Sequence, residues 1–387
     1  MKRLFAIAVA ALASGTAAFV TAPTSFAAPP AAADAGGAVF VQTDDLEHNS
    51  VVAFERDATG ALTRVGEFRT GGRGGVERGV PLDSLASQDS LTYDSAHRLL
   101  FAVNAGSNTV TSFAVSGARL TRLQTVSSGG EFPVSVAARA GLLYVLNAGG
   151  TGNVTGYRIN PAGHLVSLPG ASRSLGLANL PRPDFITAPA DIAITPDVAH
   201  VVVTTKANNT IDVFNLNDGR LSAPVKNTAA DIVPFAVAFG SSQRLVVANA
   251  GNSSVSTYRI NTDGTLQTLT RAVEDGQAAL CWLVGTGNTF YGANAGSSTI
   301  SAFAVDADGT ATLTGTSDGI VAHTGGGSGG TIDLAITHDG RLLYAENAFT
   351  GTVEGYAIQP DHTLTLVSIA TGLPQFNGHG MEGLVAL

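Results

Sequence analysis

The sequence predicts an all-β protein, a seven-bladed β-propeller with four-stranded blades and a ring closed by the C-terminal strand. The first observation behind this prediction is a motif of an aliphatic residue, two variable residues and an aromatic residue, which recurs seven times. The aromatic residues of the seven copies are Phe54, Phe113, Tyr157, Phe214, Tyr258, Phe303 and Tyr356. Their mean spacing is about 50 residues, and periods of ~40–50 residues with short β patterns are typical of propeller blades.

The second observation is that each repeat divides into strands and turns. In one copy, β-rich runs at 98–103, 110–115 and 120–126 are separated by the turns Asn104–Asn108 and Gly117–Ala118. Asn and Gly tolerate the positive φ of tight turns, whereas Val, Phe and Tyr favour pleated, half-buried strands. A further short apolar strand precedes all copies but the first, which gives four strands per blade.

The third observation concerns the two ends of the repeat region. The first copy opens directly at residues 38–41, which correspond to a second strand, and has no inner strand before it. The last five residues, Gly383 to Leu387, form an apolar run that can supply this missing strand. Closing the ring in this way removes exposed sheet edges, which promote aggregation, so we expect these residues to be structural.

The N-terminus predicts export. Lys2 and Arg3 precede an apolar run at 4–20, and Ser25 to Ala27 fits a small-x-small cleavage site. We therefore expect a signal peptide at 1–27, a flexible linker at 28–37, a single propeller domain at 38–387 and a secreted protein. The alternative is a membrane anchor, but the apolar run is just below the ~18 residues that a spanning helix needs.

The charge balance excludes some partners. The formal net charge is −9 and no cluster of Lys or Arg is present, which argues against nucleic acid and anionic membranes. We expect a monomer that binds a small molecule or a glycan. The single cysteine, Cys281, lies in an apolar run and is more simply a buried small residue than a nucleophile.

The turns between second and third strands carry polar side chains that would surround one mouth of the channel. These side chains are Asn104, Asn147, Lys206, Asn249, Asn294 and Glu346. One interpretation is a substrate-binding ring. The alternative is turn chemistry repeated around the propeller, because Asn and Gly are the residues that such turns require.

A second layer of polar groups lies on the predicted inner strands. Asp191, Asp333 and Glu382 align there and would converge near the axis. Like charges at close range raise a pKa or attract a cation, so a divalent cation in the channel could be accommodated, although no cofactor or metal motif is present. The alternative is that Asp191 and Asp333 accept backbone N–H groups between blades.

Connections on the same face add further candidates. His379 precedes the closing strand beside Glu382 and could act as an acid or base, and His323 and Arg182 lie in neighbouring connections. The long connections 71–88 and 172–189 contain several charged residues. Long insertions in a compact repeat often carry function. The alternative is that these connections are surface loops whose extra length is tolerated.

The sequence resembles the lactonase-type seven-bladed propellers, the group of 6-phosphogluconolactonase-like proteins and carboxymuconate cyclases. The segments that carry the resemblance are 189–197, 332–344 and the Asn-Ala-Gly turns. Enzymatic relatives often begin inner strands with Pro-His, and the matching pairs here are Pro133-Val134, Pro189-Ala190 and Pro234-Phe235. Family catalytic residues therefore do not transfer directly.

Two hypotheses about function follow. In the first, a secreted lactonase-like or cycloisomerase-like enzyme hydrolyses or forms a lactone ring in the central pocket. The acid/base candidates would be Asp191, Asp333, Glu382 and His379, with Arg182 and Lys206 pairing with a substrate carboxylate. In the second, a non-catalytic propeller binds a small molecule, glycan or protein on the same face. The resemblance favours the first hypothesis, and the missing Pro-His pairs favour the second.

Overall fold

The protein folds as a ring of seven antiparallel sheets, which confirms the predicted seven-bladed propeller. The computed structural model describes residues 36–241, 243–328, 330–376 and 381–387. The expected signal peptide at 1–27 lies outside the described residues, as does most of the expected linker; β1 begins at the last linker residue, Gly37. Within the described residues, no helix is long and apolar enough to cross a membrane.

Blades 1 to 3 follow the predicted order from inner to outer strand. Blade 1 comprises β1 Gly37–Gln42, β2 Ser50–Arg56 and β3 Leu62–Arg69, with β30 Leu384–Ala386 as its inner strand. Blade 2 comprises β4 Leu91–Asp94, β5 Leu99–Asn104, β6 Thr109–Ser116 and β7 Arg119–Ser127. Blade 3 comprises β8 Pro133–Arg139, β9 Leu142–Asn147, β10 Asn153–Ile159 and β11 Leu165–Ser174.

Blades 4 to 7 repeat this order, and in blades 4 and 6 the outer strand is divided in two. Blade 4 comprises β12 Pro189–Ile194, β13 His200–Thr205, β14 Thr210–Asn217, β15 Arg220–Leu221 and β16 Val225–Thr228. Blade 5 comprises β17 Pro234–Phe239, β18 Leu245–Asn249, β19 Ser254–Ile260 and β20 Leu266–Glu274. Blade 6 comprises β21 Leu280–Thr286, β22 Thr289–Asn294, β23 Thr299–Val305, β24 Ala311–Leu313 and β25 Ile320–His323. Blade 7 comprises β26 Thr331–Ile336, β27 Leu342–Asn347, β28 Thr352–Ile358 and β29 Leu364–Ala370. The described helical turns are short, Ala105–Ser107 and Gly325–Gly327.

The ring is closed by the C-terminal strand, as predicted. β30 runs antiparallel to β1, with Val39 opposite Ala386 and Val41 opposite Leu384. Backbone hydrogen bonds extend this pairing at both ends, from Gln42 N–H to the Gly383 carbonyl and from Leu387 N–H to the Ala38 carbonyl. The first blade is therefore built from both ends of the described chain, and the edge of β1 is covered.

Apolar packing between neighbouring blades forms the core, because the second strands and most of the third strands are buried on both faces. Tyrosines on second strands also reach the next blade. Tyr144 donates its hydroxyl to the Gly219 carbonyl at 2.9 Å, and Tyr344 donates to the Gly60 carbonyl at 2.9 Å. These buried side chains therefore combine large apolar area with a satisfied polar end, which fixes the spacing between blades.

Candidate functional site

The central channel is occupied by part of the connection between blades 1 and 2. Residues 83–88, which we call the axial segment, are all buried. Ser87 donates its hydroxyl to the Val134 carbonyl of blade 3 at 2.8 Å, and its own carbonyl accepts the indole N–H of Trp282 in blade 6 at 2.8 Å. The long connection 71–88 is therefore a structural plug near the axis as well as a surface loop.

Gln88 ends the axial segment and joins three blades. Its backbone N–H donates to the Ala190 carbonyl at 3.0 Å, and its amide oxygen accepts the Leu283 N–H at 2.8 Å. Its amide nitrogen lies 3.4 Å from both a carboxylate oxygen of Asp191 and the Val237 carbonyl. One side chain thus satisfies polar groups of inner strands in blades 4, 5 and 6.

Asp191 and Asp333 lie at the axis and accept backbone hydrogen bonds from neighbouring blades. Asp191 Oδ2 accepts the Val237 N–H at 2.8 Å, and Asp333 Oδ2 accepts the Leu384 N–H at 2.8 Å. Burial is the main cause that raises the pKa of both carboxyls well above their ordinary value, and the charge of Asp89 raises them further. Neither residue lines the apolar pocket described below.

Glu382 forms a carboxyl pair with Asp83 of the axial segment. A carboxylate oxygen of each residue accepts the same Leu85 N–H at 3.1 Å. Burial raises the pKa of Glu382 well above its usual range, and the adjacent Asp83 charge adds to this effect. Burial also raises the pKa of Asp83, but a hydrogen bond from Glu382 and the charge of Lys206 oppose it. The hydrogen bond between the two carboxyls therefore favours protonation of Glu382 over protonation of Asp83.

Lys206 extends from the turn after β13 into the same buried region. Its ammonium donates to the Ala86 carbonyl at 2.7 Å and lies 3.8 Å from Glu77 Oε2. It also lies 5.4 Å from the ring centre of Phe235, within range of a cation–π interaction. Burial lowers the pKa of Lys206, and the charges of Glu77 and Asp83 oppose that shift.

An apolar pocket of about 270 Å³ opens beside the axis on the face of the Asn-Ala-Gly turns. We call it the axial pocket. Its buried part contains Asp83, Lys206, Phe235, Cys281 and Trp282. Its remaining lining residues are Pro81, Leu82, Ala86, Phe185, Ile186, Val233, Ala250, Gly251, Ala279 and Ala295. A carboxylate and an ammonium therefore lie against an otherwise apolar cavity, an arrangement common in small-molecule sites.

The two long connections meet to form one wall of the axial pocket. Arg182 donates from Nε to the Val76 carbonyl, and Arg78 forms an ion pair with Asp184 at 3.3 Å. The backbone N–H of Arg78 also donates to the Pro183 carbonyl at 2.8 Å. Arg182, a sequence-predicted substrate ligand, is thus placed where it joins the two connections and does not line the pocket.

The four asparagines of the Asn-Ala-Gly face are buried and hydrogen-bonded to nearby groups. Asn249 Nδ2 donates to Ser254 and Ser256 hydroxyls, and Asn294 Nδ2 lies 2.9 Å from the Ser301 hydroxyl. Asn104 repeats this pattern with Thr109 and Thr111, and Asn147 donates to the Ser128 carbonyl. None of the four lines the axial pocket, and each stabilises a turn.

Two further predicted site residues have different positions. Glu346 is fully buried and neither carboxylate oxygen has a hydrogen-bond partner among the described residues. Burial raises its pKa well above the usual range, and the charges of Asp333 and Asp83 raise it further. His379 lies outside the described residues. His323, at the end of β25, is exposed.

Asp83 is the pocket residue that the sequence analysis did not select. Asp83 is one of several charged residues in the connection 71–88. Alignment of the repeats does not single it out, because an inserted loop has no counterpart in the other repeats. Phe235 and Trp282 sit at the start of β17 and β21, where apolar residues are expected in any blade. Within the described ranges, no group of three or more His, Cys, Asp or Glu side chains is arranged to hold a metal ion.

Part of the amino-acid sequence matches the model of a known protein family. Residues 177–284, from the second long connection to blade 6, match the family model "Lactonase, 7-bladed beta-propeller". The resemblance to the lactonase family is confirmed. The matched segment contributes Lys206, Phe235, Cys281 and Trp282 to the axial pocket.

Solved structures of other proteins share this propeller fold. A protein of Bacteroides fragilis, provisionally named a 6-phosphogluconolactonase, is 17% identical, with a TM-score of 0.68 and coverage of 93% of this chain and 100% of that chain. The periplasmic gluconolactonase of Pseudomonas aeruginosa is 16% identical, with a TM-score of 0.66 and coverage of 88% and 98%. At such identities the likeness establishes the fold alone. No curated protein matches the chain in sequence.

Proposed function

We propose that this lactonase-family propeller is an exported enzyme that hydrolyses a small lactone in the axial pocket. The observation that carries the proposal is the placement of Asp83 and Lys206, a buried carboxylate and a buried ammonium, against one apolar cavity. Lactone hydrolysis needs a base to activate water and a donor to stabilise the developing oxyanion. Asp83 supplies the first group and Lys206 the second.

The reaction balances with these residues and water alone. As the water oxygen forms a bond to the lactone carbonyl carbon, Asp83 accepts a proton from that water molecule. Lys206 donates a hydrogen bond to the carbonyl oxygen, which gains negative charge in the tetrahedral intermediate. The ring C–O bond then breaks, and the proton held by Asp83 passes to the departing alkoxide, which gives the open hydroxy acid. Glu382 positions Asp83 through the hydrogen bond between their carboxyl groups and does not line the pocket.

The pocket lining favours an uncharged lactone with apolar substituents. Among the lining residues, Lys206 is the one cation, and Glu77 already pairs with it. A phosphorylated sugar lactone would bring two negative charges to Asp83 without a matching arginine, which is electrostatically unfavourable. The substrate named for the Bacteroides protein is therefore disfavoured in this pocket.

A second candidate function is non-catalytic binding of a small apolar molecule. This alternative is favoured by the existing hydrogen bonds of the two polar groups, since Lys206 donates to Ala86 and Asp83 accepts from Leu85. Groups that are already paired contribute less to a reaction than groups that await a ligand.

A lactone panel tests the enzymatic proposal. Purified protein is incubated with unphosphorylated γ- and δ-lactones of increasing alkyl length, and acid release is followed with a pH indicator. We expect turnover that falls by about 100-fold or more in Asp83→Asn, as for loss of a general base. Asp218→Asn, at an exposed turn position, is the matched control. Ligand binding without turnover would support the second candidate.

The export proposal has its own test. The periplasmic location named for the Pseudomonas neighbour supports it, together with the basic start and apolar run at residues 1–20. We expect the secreted protein to begin at Ala28. N-terminal sequencing of protein from the culture medium measures this directly, and an intact Met1 would contradict it.

A further inference from the structure

A second pocket, between blades 1 and 2, gathers three arginines. It has a volume of about 440 Å³, and its acidic, basic and histidine lining residues are Glu47, His48, Arg69, Arg73 and Arg122. We call it the arginine pocket. Arg69 ends β3, Arg73 lies near the start of the long connection and Arg122 lies on β7, so three separate elements supply the guanidinium groups, and all three side chains are exposed to solvent. It shares no lining residue with the axial pocket.

The three arginines have no carboxylate partner. Among the described residues, none of Arg69, Arg73 and Arg122 forms an ion pair, although the chain contains 30 acidic residues against 21 basic ones. Glu47 is the one carboxylate that lines the pocket, and it is exposed. Three unpaired positive charges in one cavity of an acidic protein repel each other, and a bound anion relieves that repulsion.

Local contacts hold two of the arginines at this position. Arg73 donates its backbone N–H to the Ser107 hydroxyl at 3.0 Å and its Nη2 to the Gly106 carbonyl at 3.3 Å, which leaves other guanidinium donors free for a ligand. Arg122 lies over the backbone of Gly71. Gly71 has a φ of 85°, which favours glycine, and the absence of a side chain there leaves space into which the Arg122 guanidinium group extends.

We propose that the arginine pocket binds a small phosphate ester in its dianionic form. The planar guanidinium fork matches phosphate oxygens with paired hydrogen bonds, which a single ammonium cannot do. Three arginines around one cavity balance two phosphate charges together with the exposed Glu47. The volume accommodates a phosphate group with a short polyol or sugar, and polar contacts are available from the Ser107 hydroxyl and the Asn49 amide. The site is independent of the lactone chemistry proposed for the axial pocket.

Isothermal titration calorimetry at low ionic strength tests this site. The probes are inorganic phosphate, glycerol 3-phosphate and, as a polycarboxylate, citrate. We expect glycerol 3-phosphate to bind with 1:1 stoichiometry, and Arg73→Gln and Arg122→Gln each to weaken it by about 10-fold, the loss of one charge-assisted contact. Arg220→Gln removes the same charge from an exposed position on β15 and serves as the control.

The outcomes separate a built site from general charge attraction. Weakening confined to Arg73→Gln and Arg122→Gln, with melting temperatures unchanged, supports the proposal. Equal weakening in Arg220→Gln overturns it, as does the absence of binding by either phosphate probe at 10 mM. Tighter binding of citrate than of glycerol 3-phosphate also overturns the assignment to phosphate esters. If one variant unfolds, the other arginine still decides the question, because the two lie on different elements.

Discussion

Asp333 Oδ2 accepts the backbone N–H of Leu384 at 2.8 Å, although the two residues belong to different blades. Asp333 lies on the inner strand of blade 7, and Leu384 begins the strand that closes blade 1. The other carboxylate oxygen of Asp333 accepts the Leu334 N–H at 2.7 Å. A single buried side chain therefore links blade 7 to β30, the strand that closes the ring.

The first prediction concerns this link. We expect Asp333→Asn to lower the free energy of unfolding by about 1–3 kcal/mol, because the amide nitrogen then faces a backbone N–H where an acceptor stood. Asp333 has a φ of 28°, a region that Asn also tolerates, so the backbone itself adds little cost. Urea unfolding measures the change. Asp218→Asn is the exposed control, and equal stability of the two variants would show that the link contributes nothing.

The second prediction concerns the closing strand. Removal of Gly383 to Leu387 deletes the inner strand of blade 1 and exposes the edge of β1. It also removes the Leu387 carbonyl that accepts from Arg56 Nε at 3.1 Å. We expect the truncated chain to lose its cooperative thermal transition, as followed by circular dichroism. An unchanged melting temperature would contradict the role of β30 in closure.

The fold was predictable because its information is repeated seven times in the sequence. The aliphatic-x-x-aromatic motif marks the third strand of each blade, and the apolar C-terminal run matches the strand that the first blade lacks. The divided outer strands of blades 4 and 6 were not predicted. Outer strands are exposed on one side, so their hydrophobic pattern is weak and tolerates interruptions.

The candidate site was harder to predict because its decisive part lies in an insertion. The repeats place Asp191, Asp333 and Glu382 near the axis, but no repeat indicates that residues 83–88 enter the channel. Asp83 therefore had no aligned counterpart to mark it. Lys206 was selected for its turn position, and its contact with the Ala86 carbonyl depends on that same inserted segment.

The third prediction concerns stability against pH. Burial raises the pKa of Asp44, Glu77, Asp191, Glu346 and Glu382 well above their ordinary values. Each group retains its proton to higher pH in the folded chain than in the unfolded chain. Its contribution is therefore fully present below an unfolded pKa of about 4 and is lost as pH rises through the folded value. Burial also raises the pKa of Asp89 to about 7, so we expect the free energy of unfolding to decrease between about pH 5 and about pH 8.

Glu346→Gln isolates one of these groups. The amide keeps the shape of the side chain and removes its titration, so the variant should be more stable than the wild type at pH 8 and similar near pH 4.5. The lowered pKa of Lys206 makes the free energy of unfolding change with pH in the opposite direction. Because Lys206 is a single group and several carboxyls have raised pKa values, we expect the carboxyls to set the net slope. Urea titrations across this pH range give the slope directly. An identical slope in both proteins would show that Glu346 is not among the titrating groups.

The fourth prediction concerns the axial segment. We expect Gln88→Ala to lower the free energy of unfolding by about 2–4 kcal/mol, because the Leu283 N–H loses its acceptor and a buried cavity remains. The exposed Gln267 on β20 offers a matched control as Gln267→Ala. Denaturant melts measure both variants. A loss below about 0.5 kcal/mol for Gln88→Ala would mean that the segment fills the channel without stabilising it.

The last prediction separates catalysis from stability at Lys206. Lys206→Met alone should destabilise the protein, because Glu77 is buried and loses its nearest opposite charge. We expect the double variant Lys206→Met/Glu77→Gln to recover part of that stability, since the Glu77 charge is removed and Asp83 remains as the acidic neighbour of position 206. If Lys206 stabilises the oxyanion, lactone turnover should still fall by about 100-fold in the double variant, with the loss in kcat rather than KM. Glu77→Gln alone is the control for turnover. Recovery of both stability and activity in the double variant would exclude a role for Lys206 in the reaction.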